Sequence, residues 1–511
     1  MVTWAGKDAA RPFCQGKQLK HLRVPREVTL ANMKTNAASW SAGMYRRVEI
    51  PTSHTLSIRE LITGYDKGSD PGSVFYFDRS THYLIRTKAL QAHSYRISPK
   101  GGAITPINPQ IFEDMALTDG DILLSKDSNI GECAMVDGQN WRNYTLSGGI
   151  VRLKPSINHY YLFAFLKHEL FKTELLSKVP RGATIAHAND LWLDCHIPFP
   201  AQRDADDVVG YVAALAQVIL EKERAIHARD EEIHAQIETE LTANQAGKFD
   251  YRYPTRNEIA RLGRFDAAIY SCEYKSKIAR IQNYRRGHQL PSEAGFTITP
   301  GPSLEIKLLQ TRLDSEIPKP GFYELLIPAN ISEYGTMDAV TWLGTARNLP
   351  LLRSGDILFG EAGFHKGRSI VLIDEPERVT TNAHGLYARR RDGDLARSIF
   401  FRCVFNWYRR HRLIDLMAVG GNGGHFSPEY FEFVLIPKFP ELVQHKICAL
   451  YHNRTLPPSR KATLADFVIW HREWNEGLGI SELDRELKAL QRTLTSVQEQ
   501  IVEGHSVKLP F

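Results

Sequence analysis

The chain has 511 residues, 43% of them hydrophobic and 24% charged, and its 64 Lys+Arg against 58 Asp+Glu give a formal net charge of +6. This is a globular composition, which excludes a disordered or fibrous chain and leaves room for about three units at ~150 residues each. A surplus of six cations does not by itself imply nucleic acid.

In chain order, residues 1–38 form an extension with no assigned element. Its first thirty residues carry Lys7, Arg11, Lys17, Lys20, Arg23 and Arg26 without an apolar core, so no secretory signal is expected. No run of 18 apolar residues follows anywhere. The best stretch, Ser398 to Tyr408, is short and holds Arg402, so no membrane span is expected. The six cysteines (Cys14, Cys133, Cys195, Cys272, Cys403, Cys448) have no paired spacing, which argues against a disulfide framework or a Cys-ligated zinc and for a reducing, cytoplasmic setting.

Residues 39–200 and 264–440 read alike. Gly120-Asp121-Ile122-Leu123 recurs as Gly355-Asp356-Ile357-Leu358, a shift of 235. One tetrapeptide means little, but ordered companions accompany it. Trp40, Ala42 and Tyr45 match Phe265, Ala267 and Tyr270; Gly131 matches Gly367; Gly149 matches Gly385; Ile197-Pro198 matches Ile436-Pro437. The shift only grows along the chain, as two copies with insertions in the second require. Each copy begins with strand-like segments broken by Gly and Pro, such as Val74 to Phe77, Ile122 to Leu124, Phe322 to Ile327 and Ile357 to Phe359. A helical stretch follows (His159 to Lys178; Leu395 to Val419), then a Gly-containing loop (Arg181-Gly182; Gly420 to Gly424), then the closing Ile-Pro strand. The expected fold class is α+β: two tandem modules of mixed sheet and helices, each followed by a long helix.

Residues 201–245 form the first arm. Val208, Val212, Leu215, Ile219, Ile226, Ile233, Ile237 and Leu241 keep helical spacing, with Lys222 and Arg229 interrupting a strict heptad. Residues 441–511 hold the second. Residues 441–453 look helical, Pro457-Pro458 break them, and a piece with Trp470, Trp474, Gly477 and Gly479 precedes the heptads of 480–504. There Ile480, Leu483, Leu487, Leu490, Leu494, Val497 and Ile501 step by 3 and 4, an a/d seam. An apolar stripe needs a partner, and the two arms pairing as an antiparallel coiled coil is the economical one; separate packing on each module is the plainer alternative. The first arm carries four cations against ten acids, −6, which leaves +12 for the rest of the chain.

Cations gather at 275–291 (Lys275, Lys277, Arg280, Arg285, Arg286, no acid) and at 377–412, where nine Arg face three acids. Tyr45, Tyr95, Tyr284, Tyr387 and Tyr408 are interleaved with the basic residues. Phosphates call for such cations and Arg reads guanine edges; any single cluster reads rather as a solvated face, and it is two basic modules joined by acidic arms that point towards DNA. Catalytic motifs fail. Asn108-Pro109-Gln110-Ile111 misses a methyltransferase loop, Gly360-Glu361-Ala362-Gly363 reads as a turn, Asp356 and Glu361 lack the Lys of a Mg²⁺ nuclease, and no phosphate loop occurs. His227 and His234, one heptad apart, read as exposed helix histidines rather than metal ligands, and no metal site is expected.

The ordered pattern resembles the specificity (S) subunit of type I restriction–modification systems, the HsdS family, over nearly the whole chain. The resemblance rests on the two Gly-Asp-Ile-Leu strands, on Arg264-Phe265-Asp266-Ala267 with Tyr270, and on the closing runs His196-Ile197-Pro198-Phe199-Pro200-Ala201-Gln202 and Leu435-Ile436-Pro437-Lys438-Phe439-Pro440. It implies that the modules are target recognition domains, each reading half of a bipartite site in double-stranded DNA. It also implies a non-catalytic chain without a cofactor of its own. Two partner methyltransferase subunits would use S-adenosylmethionine on adenine, with ATP-dependent restriction subunits as further partners. The closing runs lack the family's Glu-Gln after Pro, and the second arm is interrupted. A helix over 208–241 would span about 50 Å, roughly 15 base pairs. Candidate DNA contacts are Arg46, Arg47, Lys126, Arg181, Arg285, Arg286, Lys366, Arg368, Arg389, Arg390, Arg391 and His425. Two other classes stay open: a DNA-acting enzyme with a degenerate motif, and a coiled-coil scaffold for proteins only.

Overall fold

The computed structural model describes residues 21–23, 25, 27–35, 45–99, 102–138, 140–179, 187–363, 366–420 and 424–511. The architecture is mixed α+β. The chain separates into two compact units where length alone suggests three. Unit 1 comprises 1–224, 458–473 and 487–511; unit 2 comprises 225–457 and 474–486. The third unit is missing because the helical arms form no body of their own: each is divided between the two units.

Unit 1 contains β1 (Leu22–Arg23), α1 (Leu30–Thr35), β2 (Arg47–Val48), β3 (Thr55–Ser57), α2 (Ile58–Leu61), β4 (Ile62–Lys67), β5 (His82–Ile85), β6 (Ile104–Ile107), β7 (Ile122–Ser125), β8 (Cys133–Met135), β9 (Tyr144–Leu146) and β10 (Ile150–Pro155). α3 (His159–Lys167), α4 (Glu169–Lys178) and the closing strand β11 (His196–Pro198) follow. Its main sheet is antiparallel in the order β4-β10-β7-β8; β6-β5-β9 forms a second sheet, and β11 pairs with β3. α5 (Ala205–Ala243) then runs from unit 1 into unit 2.

Unit 2 continues with α6 (Arg256–Leu262), α7 (Cys272–Gln282), β12 (His288–Gln289), β13 (Phe296–Pro300), α8 (Ile306–Leu309), β14 (Leu313–Ser315), β15 (Tyr323–Leu326), β16 (Thr341–Gly344), β17 (Ile357–Gly360), β18 (Ser369–Val371), β19 (Val379–Thr381) and β20 (Gly385–Arg390). α9 (Leu395–Arg410), α10 (Leu413–Met417), β21 (Ile436–Pro437) and α11 (Glu441–Tyr451) complete the module, and α12 (Phe467–Glu476) and α13 (Ile480–Val502) end the chain. The sheet order is β13-β20-β17-β18, and β14-β16-β15-β19 repeats β6-β5-β9 with one added edge strand. β5 with β9 and β15 with β19 are the parallel pairs at equivalent places.

The duplication extends to register. In unit 1, Ile150, Val151, Arg152 and Leu153 face Ser125, Leu124, Leu123 and Ile122. In unit 2, Gly385, Leu386, Tyr387 and Ala388 face Gly360, Phe359, Leu358 and Ile357. Every residue of the second ladder is its counterpart plus 235 (357 − 122; 385 − 150). A one-residue slip would exchange the two faces of a strand, so shared register means shared inner faces. The ladder makes Gly385 the counterpart of Ile150, not of Gly149, which corrects that one sequence match. Both inner strands are fully buried, Ile122–Ser125 and Ile357–Gly360 alike.

Both helical stretches are broken where the sequence reads as one helix. Asn158 caps α3 by accepting from the backbone N–H of Tyr160 and Tyr161, and His168 ends it in an extended conformation while accepting from Leu170 N–H. Asp394 caps α9, and Arg412 leaves it with φ +59° before α10. In each module a buried tyrosine ties the helix to the closing strand: Tyr161 Oη donates to Pro198 O at 2.7 Å and Tyr408 Oη to Leu435 O at 3.1 Å. α9 is buried along most of its length, and Phe359, Phe401, Phe405, Phe426 and Phe431 stack around it. Val74 departs from its expected strand: it sits exposed in a short 3₁₀ turn.

Candidate nucleic-acid interface

The Gly-Asp-Ile-Leu segments are turns that start the buried strands. Gly120 and Gly355 adopt φ +92° and +81°, a conformation that favours glycine. Their N–H groups donate to Val136 O and Leu372 O at 2.9 and 2.8 Å, and those residues return a bond to Asp121 O and Asp356 O. Asp121 Oδ2 accepts from Thr118 N–H and Asp356 Oδ2 from Arg353 N–H, both at 2.8 Å. Each carboxylate also meets an arginine of the neighbouring strand. Arg152 Nη1 is 3.3 Å from Asp121, and Arg389 Nε donates to Asp356 at 2.8 Å. The motif is thus a structural corner. Glu361 lies beyond the far end of β17 from the buried Asp356, so these two acids share no Mg²⁺ site.

At the other end of each buried strand a tight hairpin leads into β8 or β18. Gly131 and Gly367, both at positive φ, donate to Ser125 O and Gly360 O. Beside the hairpin runs the loop that precedes the closing strand, joined to it by isolated bridges, Asp127 with His187 and Ala362 with His425. Ala188 N–H donates to Lys126 O and Phe426 N–H to Glu361 O, both at 2.8 Å. Each unit therefore presents one partly exposed histidine beside an acid at the same place. His187 Nδ1 lies 2.7 Å from Asp127, and His425 Nδ1 lies 4.0 Å from Glu361. His187 was not among the sequence candidates, although its offset of 238 from His425 fits between the shifts of Gly131/Gly367 and Ile197/Ile436.

Within unit 2 the candidate cations around β20 and the β17–β18 hairpin do not form one patch. Arg389, Arg390 and Arg391 follow β20 past its pairing with Ile357, at the Asp356 end of the strand, whereas Lys366, Arg368 and His425 lie towards the hairpin end. Several candidate cations are committed inside the protein. Lys126 is buried on Asp127 (3.1 Å), Lys366 meets Asp415 (2.6 Å), and Arg368 is buried on Ile331 O (2.9 Å). Arg389 holds Asp356, and Arg390 holds Asp392 and Ala294 O. Burial pushes the Arg368 guanidinium down, while Asp356 pulls that of Arg389 up. Much of the basic run 377–412 is thus committed to contacts within the protein, because it spans α9, while Arg391, Arg397 and Arg412 are exposed. Arg402 is fully buried, donating to Ser369 O, and Arg410 bridges Asp230 and Glu231. Arg47, Arg285, Arg286 and Arg391 are exposed, Arg285 still donating to Gln245 O at 3.0 Å. Arg46 and Arg47 line a cleft of about 540 Å³ with Glu174, Ser177, Lys178 and His196. Arg181, Trp40, Ala42, Gly182 and the middle of Gly420–Gly424 lie outside the described residues.

The seam residues Val212, Leu215, Ile219, Ile226 and Ile233 on α5 are buried, as are Ile480, Leu483, Leu487, Leu494, Val497 and Ile501 on α13; Leu490 is half-buried. Within unit 1, Tyr211 packs edge-on against Phe467 and Phe511, and Arg472 meets Glu221 at 2.7 Å. Within unit 2, Arg229 donates to Asn475 O, Glu476 O and Leu478 O. Both units thus tie α5 to the C-terminal region.

The S subunit of a type I restriction–modification system from M. genitalium aligns over 88% of this chain and 95% of its own, at 10% identity and a TM-score of 0.41. The chain is similar to S subunits. The HsdS subunit from Thermoanaerobacter tengcongensis aligns over 90% and 98%, at 13% identity and a TM-score of 0.27. A chain from a structure of assembly and conformational transition in the type I system aligns over 90% and 100%, at 14% identity and a TM-score of 0.26. With identities this low and TM-scores under 0.5, the likeness adds no weight to a functional reading. No family model and no curated protein matches the sequence. Among the described residues, no helix is long and apolar enough to cross a membrane.

Proposed function

We propose that this protein is a DNA sequence-specificity subunit of the type I restriction–modification kind, reading an asymmetric bipartite duplex site with one half-site per unit. The observation that supports this most is the duplication itself: two modules with one ladder register whose hairpins differ in sequence, Lys126-Asp127-Ser128-Asn129 against Glu361-Ala362-Gly363. A repeated frame with unlike tips suits the reading of two unlike half-sites. The +12 surplus outside the first arm supplies attraction for phosphates, and exposed groups such as Arg47, Arg286 and Arg391 are suited to it. In this reading the chain does no chemistry. The paired α5 and α13 arms position two adenine methyltransferase subunits that bind S-adenosylmethionine, and restriction subunits join that assembly in the cytoplasm.

The purified chain, alone and with an adenine methyltransferase from the same genome, is incubated with duplex DNA, Mg²⁺ and S-adenosylmethionine. Salt-dependent duplex binding and methylation only with the partner are expected. Cleavage or methyl transfer by this chain alone, or binding that ignores salt, would overturn the proposal.

A further inference from the structure

On the second half of α5, His234 and Glu238 are four residues apart and share one face, and His411 at the end of α9 meets them there. All three belong to unit 2. His411 Nε2 lies 2.8 Å from Glu238 Oε1, and His234 Nε2 lies 3.9 Å from the same oxygen. The two imidazoles stack with centroids 5.2 Å apart. The sequence reads His234 as an exposed helix residue; instead it is partly buried, because α9 packs across this turn of α5.

The protons around these atoms leave a gap. His411 Nδ1 is 2.9 Å from Trp407 O, which can only accept, so Nδ1 carries the proton. Nε2 therefore turns a lone pair towards a carboxylate oxygen unless a cation stands between them. Glu238 accepts from the Arg280 guanidinium and from Trp407 Nε1–H, as an ionised carboxylate does. The cation is a second proton on His411 or a metal ion. His234 favours the ion. Its Nε2 faces the same Glu238 oxygen from beyond hydrogen-bond range, at 3.9 Å. A proton on His411 leaves His234 unexplained; one ion takes up all three side chains.

We infer that His234, Glu238 and His411 form a site for a borderline divalent transition metal of the Zn²⁺ class, which fastens the central helix to the second module. Donors about 2.1 Å from a tetrahedral ion stand about 3.4 Å apart, so both observed separations need shifts of only about half an ångström. The Nδ1–H bond to a backbone carbonyl is the support a metal-bound imidazole usually has. Arg280 occupies the other oxygen of Glu238, and Oε1, which accepts the indole N–H of Trp407 at 2.7 Å, has a second lone pair for the ion. The three side chains are each about one-quarter exposed or less, so water can complete the coordination and the ion can enter. Two imidazoles and one carboxylate suit Zn²⁺, Co²⁺ or Ni²⁺ better than Mg²⁺ or Ca²⁺.

The full chain, stripped with a chelator, is titrated with ZnCl₂ by calorimetry and with CoCl₂ by absorption. Wild type should take one equivalent more than the His234→Asn/His411→Asn double variant. Glu238→Gln should weaken that site at least ~10–100-fold, the loss that even outer-shell changes cause. His227→Ala, one heptad earlier on the helix, should leave it intact. Bound Co²⁺ should give visible ligand-field bands that Zn²⁺ abolishes, a readout on wild type that stands if a variant fails to fold. Equal stoichiometry in wild type and double variant, absence of those bands, or a histidine NMR titration with His411 doubly protonated in excess Zn²⁺ would each overturn the inference.

Discussion

Substituting the aspartate of each Gly-Asp-Ile-Leu corner by asparagine should harm the two units unequally. Asn keeps the acceptor for the upstream N–H, so the perturbation removes charge alone. Asp356 is 1% exposed and takes two bonds from Arg389, which also donates to Leu351 O and lies over the Tyr387 ring. Breaking a buried ion pair costs ~3–5 kcal/mol; Arg389 is 30% exposed and can rehydrate, which places Asp356→Asn near 3 kcal/mol. Asp121 is 21% exposed, its single Arg152 contact is 3.3 Å long, and Arg152 keeps Asp66, so Asp121→Asn should cost about 1 kcal/mol. A two-unit chain need not unfold in one step, so the assay is native-state hydrogen exchange read separately on β7–β10 and β17–β20. Exchange should accelerate roughly 150-fold in unit 2 for Asp356→Asn and about 5-fold in unit 1 for Asp121→Asn. Equal acceleration, or a larger effect in unit 1, would refute the ion-pair reasoning.

Phe405→Ala, in the ring cluster of unit 2, should cost ~3–5 kcal/mol, measured as a lowered urea midpoint for that unit. Burial, with Lys222 nearby, pushes His471 down to about 3. Its neutral form is favoured by folding, so stability should be full above pH 6.5 and fall as pH drops towards 3, by roughly 3 kcal/mol near pH 4.5. His471→Gln should flatten that slope in pH-dependent melts, and an unchanged slope would contradict the assignment. Arg47→Ala, Arg286→Ala and Arg391→Ala should each reduce the slope of log K against log salt by about one at unchanged stability, while Arg390→Ala should lower stability instead. Binding isotherms at several salt concentrations, paired with melts, separate the two groups.

The duplication could be read in the sequence because the corner, the hairpin glycine and the closing Ile-Pro are local devices with fixed residue needs. Gly120, Gly355, Gly131 and Gly367 all sit at positive φ, and such positions keep their residue while the surface between them drifts. The broken helices escaped the reading: His168 and Arg412 are neither Pro nor Gly, and the breaks follow from packing. Basic clustering misled for a related reason. A run of arginines shows charge without direction, and α9 turns Arg402 inward while β20 gives Arg389 to Asp356. Arg402 could be recognised as interior only once its helix was seen to be buried on all sides. His234 and His411 are far apart in sequence, so no spacing rule could have joined them, whereas His187 was within reach of the repeat.

Selection of the full chain, with the proposed methyltransferase partner present, on duplexes carrying a long random stretch tests the central claim most directly. Two short blocks of unlike sequence, separated by a spacer of fixed length and free composition, are expected, and His187→Ala should blur one block while His425→Ala blurs the other. A single contiguous block, a palindrome, or loss of both blocks from either substitution would contradict a reader with one half-site per unit.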